Sequence, residues 1–456
     1  MRFSINEINN LLGDINWNKS KNKKLSFEKI SIDSRNISSE DLFVAIKGNN
    51  FDGHNFIDSL IEKEVKAVII TKGNEKLVPK YLPFWSVKDT VKAFQRLSLL
   101  KRRKLNIPVI AITGSVGKTT TKEMAKEVLK SYGKVEASKR NNNNEIGVCL
   151  TINNCDEKDK LLILEMGMRG LGQIENLSRF SEPDIAVITN IGSSHIGLLG
   201  SRNIIAQAKC EIVKYLNPNG LVIIPFDEPL IDENLKYSWR GRILKVRLKS
   251  DKEENYSSNL YDCLTGSYNK SDNLITIENK KFTISFKGSH NVRNFLFTYA
   301  IAKELGIDFD EFTEFSFKEI NGRNKIIDTK KLTILDESYN ASPESVKACI
   351  NLLLDYPGNH FLVFGSMQEL GDRSIKYHKE IIDLILHVDI QKCIFLCNSE
   401  MRIKLMEYVY STNKIVFEND INLVSKILNR STKKGDILLI KGSRYWKLEQ
   451  LISLLE

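Results

Sequence analysis

The chain is patterned as short, almost unbroken apolar runs separated by amphipathic stretches. IPVIAIT (107–113), LLILEMG (161–167), DIAVITNIG (184–192) and LVIIPF (221–226) are each the length of one strand. Runs that are apolar at consecutive positions predict strands covered on both faces. The segment KEMAKEVLKSYG (122–133) instead puts Met124, Val128 and Leu129 on one side at helical spacing. Strands alternating with helices predict βαβ units and parallel sheets. After about residue 326 the alternation resumes: LTILDES, a helix from Pro343, FLVFGSM, a helix over about 374–387, KCIFLC and DILLIKGS. Before residue 88, strand-like SFEKISIDSR, DLFVAIKG and KAVIIT mix with a helical HNFIDSLIEKE. Between 249 and 287 the texture turns to shorter, polar, hairpin-like strands (NLITIENKKFTISFKG). The expected fold is α/β in three domains, a small one over 1–87 and two doubly wound ones over 88–325 and 326–456.

Composition changes this picture little. Among 456 residues, Lys and Arg number 67 and Asp and Glu 57, a net charge of +10. That excess is modest and scattered, with small clusters at Lys101, Arg102, Arg103 and Lys104 and at Lys21, Lys23 and Lys24. It reads as solvated surface that suits an anionic small substrate, without the concentrated basic face of a nucleic-acid binder. No apolar run approaches the ~18 residues of a membrane helix. The start, MRFSINEINN, lacks a basic patch followed by an apolar stretch. No membrane partner and a cytoplasmic location are therefore expected. Seven cysteines without a CxxC pair read as reduced structural thiols.

The sharpest local signal is TGSVGKTTT (113–121), between an apolar strand and a helix. That context suits a phosphate-binding loop. Gly114 and Gly117 permit tight backbone geometry, with Ser115 and Val116 between them. Lys118 can reach the β/γ-phosphates, Thr119 can offer its hydroxyl to Mg²⁺, and Thr120 follows in the helix start, whose amides and dipole favour an anion. Ile112 stands where the general pattern wants glycine, which points to a subclass.

Glu165 and His195 lie at or beyond strand ends, the edge where open parallel sheets bind ligands. Each is either structural or a ligand of a divalent metal beside the phosphates. Lys209 shares a helix face with Ile205, Ile212 and Val213. It either snorkels to solvent or is held as a neutral amine, and a neutral amine can capture CO₂ as a carbamate.

These segments, with RNNNNEIGVCLTI (140–152), LEMGMRGLGQI (164–174), GSHNVRN (288–294), GRNK (322–325), DESYNASPESVKA (336–348), FGSMQELGDRSIKYH (364–378) and KGSRYWKLE (441–449), resemble the Mur ligases. SIDSRNISSEDLFVAIKGNNFDGHNFI (31–57) resembles the UDP-binding domain of that family. NNEIG, DESYNASP and GSMQELG point to its D-Ala-D-Ala-adding branch, and no DNPR run is present. The resemblance implies an N-terminal UDP-binding domain, a central P-loop ATPase domain and a C-terminal Rossmann-like domain. It implies ligation of D-Ala-D-Ala to UDP-MurNAc-tripeptide through an acyl phosphate, driven by ATP with two Mg²⁺, in a monomeric enzyme.

By the same resemblance, Lys118, His195, Lys209 and Arg323 serve catalysis. Thr119 and Glu165 hold one Mg²⁺; His195 and a carbamylated Lys209 hold the second. Asn294 contacts adenine, and Arg323 reaches phosphate across the domain boundary. Asp336, Tyr339 and Asn340 contact nucleotide and dipeptide. Ser34 and Arg35 face the UDP, and Asn143 and Asn144 face the substrate. From the residues alone, Asp336 could equally cap a turn, Asn294 a helix, and Arg323 sit on the surface. PFDEP (225–229) departs from the family's Asn-x-Asp-Asp pattern, which puts ligand contacts there in doubt. The rival readings are a folylpolyglutamate synthase-like ligase and a P-loop protein that uses ATP as a switch on RNA.

Overall fold

The run Val109–Thr113, buried at every position, becomes an inner strand of a ten-stranded sheet. The structure is a computed structural model that describes residues 2–16, 25–250, 262–409 and 412–455. The lysines at 21, 23 and 24 lie outside the described residues. Across the sheet the order is Phe312–Phe315, Lys280–Ile284, Leu274–Ile277, Asp262–Asn269, Arg242–Leu248, Leu221–Pro225, Ile185–Ile188, Val109–Thr113, Asp159–Glu165 and Lys134–Ala137. Neighbours from Asp262–Asn269 to Lys134–Ala137 pair in parallel. Both faces are covered, as the unbroken apolar runs require. Val109, Ala111, Leu162 and Leu164 pack with Phe94, Leu97, Val148 and Ile174 on one side. Ile110, Ile112, Leu161 and Ile163 pack with Met124, Val128, Phe295 and Leu296 on the other. The expected hairpin is present: Leu274–Ile277 and Lys280–Ile284 pair antiparallel. Glu278 and Asn279 turn between them with φ of 48° and 68°, the left-handed pair that matches strand twist.

A six-stranded sheet follows, in the order Lys325–Asp328, Leu332–Glu337, Asp436–Lys441, His360–Gly365, Lys392–Leu396 and Ile415–Glu418. Its first strand is antiparallel and the rest are parallel. The N-terminal body holds four parallel strands, Ile30–Ser31, Leu42–Val44, Ala67–Thr71 and Phe84–Val87. Phe84–Val87 escaped the sequence reading because only Trp85 in it is fully buried, so no apolar run marks it. The helix expected over 54–64 is confined to Ile57–Ile61, after a tighter turn over Gly53–Phe56.

One expectation about side chains changes. Lys101 and Arg102 are buried rather than solvated. Arg102 donates to the carbonyls of Ser181, Ile107 and Glu182 and pairs with Asp184 at 2.8 Å. It therefore ties the helix Thr90–Leu105 to the loop that precedes Ile185–Ile188. The seven cysteines are free thiols, all buried except Cys263.

His378, fully buried in the helix Ser374–His387, supports the loop after His360–Gly365. Its Nε2 accepts from the Met367 amide at 2.8 Å, so Nδ1 carries the proton that it donates to the Ser374 carbonyl at 2.7 Å. Burial pushes its pKa down to about 4. The stabilisation is therefore present above the ordinary histidine value of about 6.5 and is lost as pH falls towards 4, on the order of 3 kcal/mol in all. An NMR titration of the ring checks this. A midpoint close to the free-histidine value would contradict it.

Candidate active site

The carboxyl ends of the central and C-terminal sheets face one cavity of about 2110 Å³. Ligand pockets usually span about 300–1,000 Å³, so this volume accommodates more than one ligand at once. Gly114, at φ 145°, leaves the strand Val109–Thr113, and Gly117, at φ 85°, precedes the helix Lys118–Val128. A Cβ on Gly114 would lie 1.9 Å from Thr189 Oγ1. That hydroxyl donates to the Val116 carbonyl at 2.6 Å, and Asn190 Oδ1 accepts from the Val116 amide at 3.0 Å. Gly114→Ala is thus expected to lower stability by about 1–3 kcal/mol through strain and overpacking. A urea denaturation midpoint equal to wild type would contradict it.

Asn294, in the interior of the helix Ser289–Glu304, does not cap that helix. Its Oδ1 would lie 2.6 Å from a Cβ on Gly117 and accepts from the Thr121 hydroxyl at 3.3 Å. The helix Ser289–Glu304 is thereby seated directly against the loop 114–117.

Lys118 folds over the loop and donates to the Gly114 carbonyl at 2.7 Å and to the Ser115 carbonyl at 3.2 Å. Desolvation lowers its pKa, Glu165 opposes the shift, and Arg323 adds to it. Glu165, 3% exposed, accepts from the Thr119 hydroxyl at 2.9 Å and from Asn143 Nδ2 at 3.0 Å. A carboxylate and a hydroxyl together offer the hard oxygen donors that Mg²⁺ prefers.

Lys209 is 2% exposed and lines the cavity, so it does not snorkel to solvent. The helix carrying it ends at Cys210, and Ile212 and Val213 continue its apolar face in a tighter turn. Desolvation, then the neighbouring Lys118 charge, holds its pKa well below the ordinary lysine value. No carboxylate pairs with it among the described residues. His195, at φ 66°, precedes the short helix Ile196–Leu199. Its Nδ1 lies 2.5 Å from Glu369 Oε2, though the alignment falls short of a full hydrogen bond. Burial lowers the His195 pKa, against the pull of Glu369.

The C-terminal body adds Arg323, which stacks over the Tyr339 ring at 4.3 Å and lines the cavity. Asp336 does close a turn, accepting from the Ser338 amide at 3.1 Å, and also faces the cavity. The Asn340 carbonyl accepts from Lys441 at 3.0 Å. Asn144 caps the helix Glu145–Asn154 through the Gly147 amide at 2.8 Å, and it and Asn143 reach the cavity wall. Asp227 and Glu228 of PFDEP face the cavity as well. Burial pushes Glu228 up to about 7, against the opposing charge of Arg202.

Ser34 and Arg35 stand apart from this cavity, in a short turn where Arg35 pairs with Asp33 at 2.8 Å. The sequence reading did not single out Lys122, Glu344 or Glu369. Lys122 is fully buried, donates to the Ser138 carbonyl at 2.6 Å and lies 3.9 Å from Glu165. Glu344 Oε1 accepts from the Ser193 amide at 2.7 Å, across the two bodies. A lysine four residues beyond the loop lysine, on the same helix face, was the signal available for Lys122. The other two depend on how the bodies dock.

Residues 26–112 match the catalytic domain of the Mur ligase family, 112–302 the Mur ligase middle domain and 322–444 the Mur ligase glutamate ligase domain. The chain belongs to the Mur ligase family, whose members are ATP-dependent amide ligases. It is 33% identical to UDP-N-acetylmuramoyl-tripeptide–D-alanyl-D-alanine ligase of Synechocystis sp. over 94% of this chain and 92% of that one. It is likewise 33% identical to the enzyme of that name from Bacillus subtilis, over 93% and 92%. Its fold matches the crystal structure of MurF ligase from Thermotoga maritima in complex with ADP, with a TM-score of 0.77 and 27% identity over 94% and 97% of the two chains.

Proposed function

We propose that this chain joins D-Ala-D-Ala to UDP-MurNAc-tripeptide with ATP, giving UDP-MurNAc-pentapeptide for peptidoglycan synthesis. One observation carries the reading: Lys118, Glu165 and Arg323 line one cavity between two sheet ends, in a chain collinear with D-Ala-D-Ala ligases. ATP's γ-phosphoryl passes to the tripeptide's terminal carboxylate, forming an acyl phosphate and releasing ADP. The dipeptide amine attacks that carbonyl, and the tetrahedral adduct collapses to amide and phosphate. Carboxylate and triphosphate repel one another, so the reaction needs cations already in place. Lys118 supplies one from the phosphate loop and Arg323 another from the C-terminal body.

Asn294 would receive adenine beside the loop, with Asp336, Tyr339 and Asn340 on the facing wall. Asn143 and Asn144 would meet the peptide substrate, and Ser34 and Arg35 the UDP end. Thr119 and Glu165 would hold one Mg²⁺, which neutralises phosphate charge when bound. An unmodified ammonium is no metal ligand. Lys209 would join His195 at a second ion only as its carbamate, formed when the neutral amine adds to CO₂ and releases a proton.

Phosphate release with ATP and Mg²⁺, omitting each substrate in turn, tests the proposal. Release that requires both UDP-MurNAc-tripeptide and D-Ala-D-Ala supports it. Release dependent on folate and glutamate, or on RNA, would replace it with another reading.

A further inference from the structure

The central and C-terminal bodies meet where two strained residues face each other. His195 has φ 66° and Glu369 has φ 61°. Left-handed backbone at a residue other than glycine is unfavourable and persists only where the surroundings impose it. Here the carboxylate of Glu369 reaches His195 Nδ1 at 2.5 Å and Arg169 at 3.8 Å. The Glu369 carbonyl accepts from the Gly197 amide at 2.9 Å. Close docking of the two bodies depends on two glycines: a Cβ on Gly197 would lie 2.4 Å from the Gly371 nitrogen. Arg169, His195 and Glu369 all line the cavity.

From this arrangement we infer that Glu369 is a positioning residue: docking of the C-terminal body brings its carboxylate to His195 Nδ1, a close polar contact that restrains the imidazole and leaves Nε2 free for a ligand in the cavity. A carboxylate on one ring nitrogen sets the tautomer and orientation of the other. His195 would then be fully ordered only when the two bodies are together, so docking and completion of the site are one event. The inference rests on the assignment of His195 to the site, not on the identity of the peptide substrates.

The test uses Glu369→Asn, because asparagine tolerates the left-handed backbone but is too short to reach His195, and Glu369→Gln as the conservative change. Free Mn²⁺ is followed by electron paramagnetic resonance during titration of the full chain with a nonhydrolysable ATP analogue present. Glu369→Asn is expected to weaken the weaker class of Mn²⁺ binding roughly 10-fold or more and to lower kcat with little change in the KM for ATP. Glu369→Gln should fall between that variant and wild type. In a His195→Ala background the same substitution should change Mn²⁺ binding no further, the signature of a shared interaction. Mn²⁺ binding equal to wild type in Glu369→Asn, with an unchanged melting curve, would overturn the inference. So would an undiminished effect in the His195→Ala background. The metal titration needs no peptide substrate, so it can fail while substrate-dependent phosphate release stands, and the reverse.

Discussion

Alanine at position 118 is expected to slow substrate-dependent phosphate release by about two orders of magnitude or more, the scale of losing one preorganised charge-stabilising group. Among the described residues, the Lys118 ammonium hydrogen-bonds only to the carbonyls of Gly114 and Ser115. Both are weak partners for a desolvated cation, which phosphate oxygens would replace with a net gain. The position is defined by the tight loop: Gly114 packs on Thr189 and Gly117 on Asn294. Arginine should not restore the rate, because its planar fork does not occupy the volume of a compact ammonium. Steady-state kinetics on a variant with a wild-type melting curve checks the claim. Turnover within a few-fold of wild type would remove Lys118 from the chemistry.

Alanine at position 209 is expected to be nearly inactive, with a loss on the order of 10²–10³ in kcat, and to regain part of its activity with added acetate. An ammonium that is 2% exposed, beside the Lys118 charge and without an acidic partner among the described residues, is unfavourable. The neutral amine relieves that cost and becomes a nucleophile for CO₂. The carbamate then presents anionic oxygens beside the Lys118 charge. Acetate can supply such oxygens in the space that alanine leaves. Isotopically labelled CO₂ should give a carbamate carbon resonance in the wild type and none in the variant. Full activity without acetate, or absence of that resonance in the active wild type, would sink the idea.

The strands and the loop were legible because their signals are local. VIAIT is apolar at successive positions, and TGSVGKTTT places glycines and a lysine within a few residues of a strand end. Lys209 was half legible: helical spacing gave its apolar face, but only the packing of Ile205 and Ile212 decides between burial and snorkelling. Arg102 was misread because a run of four basic residues looks solvated, while its helix end meets carbonyls from residues about eighty positions away. Asn294 behind Gly117 and Glu369 beside His195 were beyond reach for the same reason. Each pair joins chain segments more than 170 residues apart, which no periodicity records.

The distribution of thiols has a practical consequence. Desolvation raises Cys149, Cys210 and Cys349 to about 12, and it is the thiolate that attacks alkylating reagents. Cys263 is exposed on the strand Asp262–Asn269 of the central sheet. A maleimide dye should therefore attach to the native chain at that single described position. One engineered cysteine beyond residue 322 would complete a donor–acceptor pair for watching the two bodies approach and separate in real time.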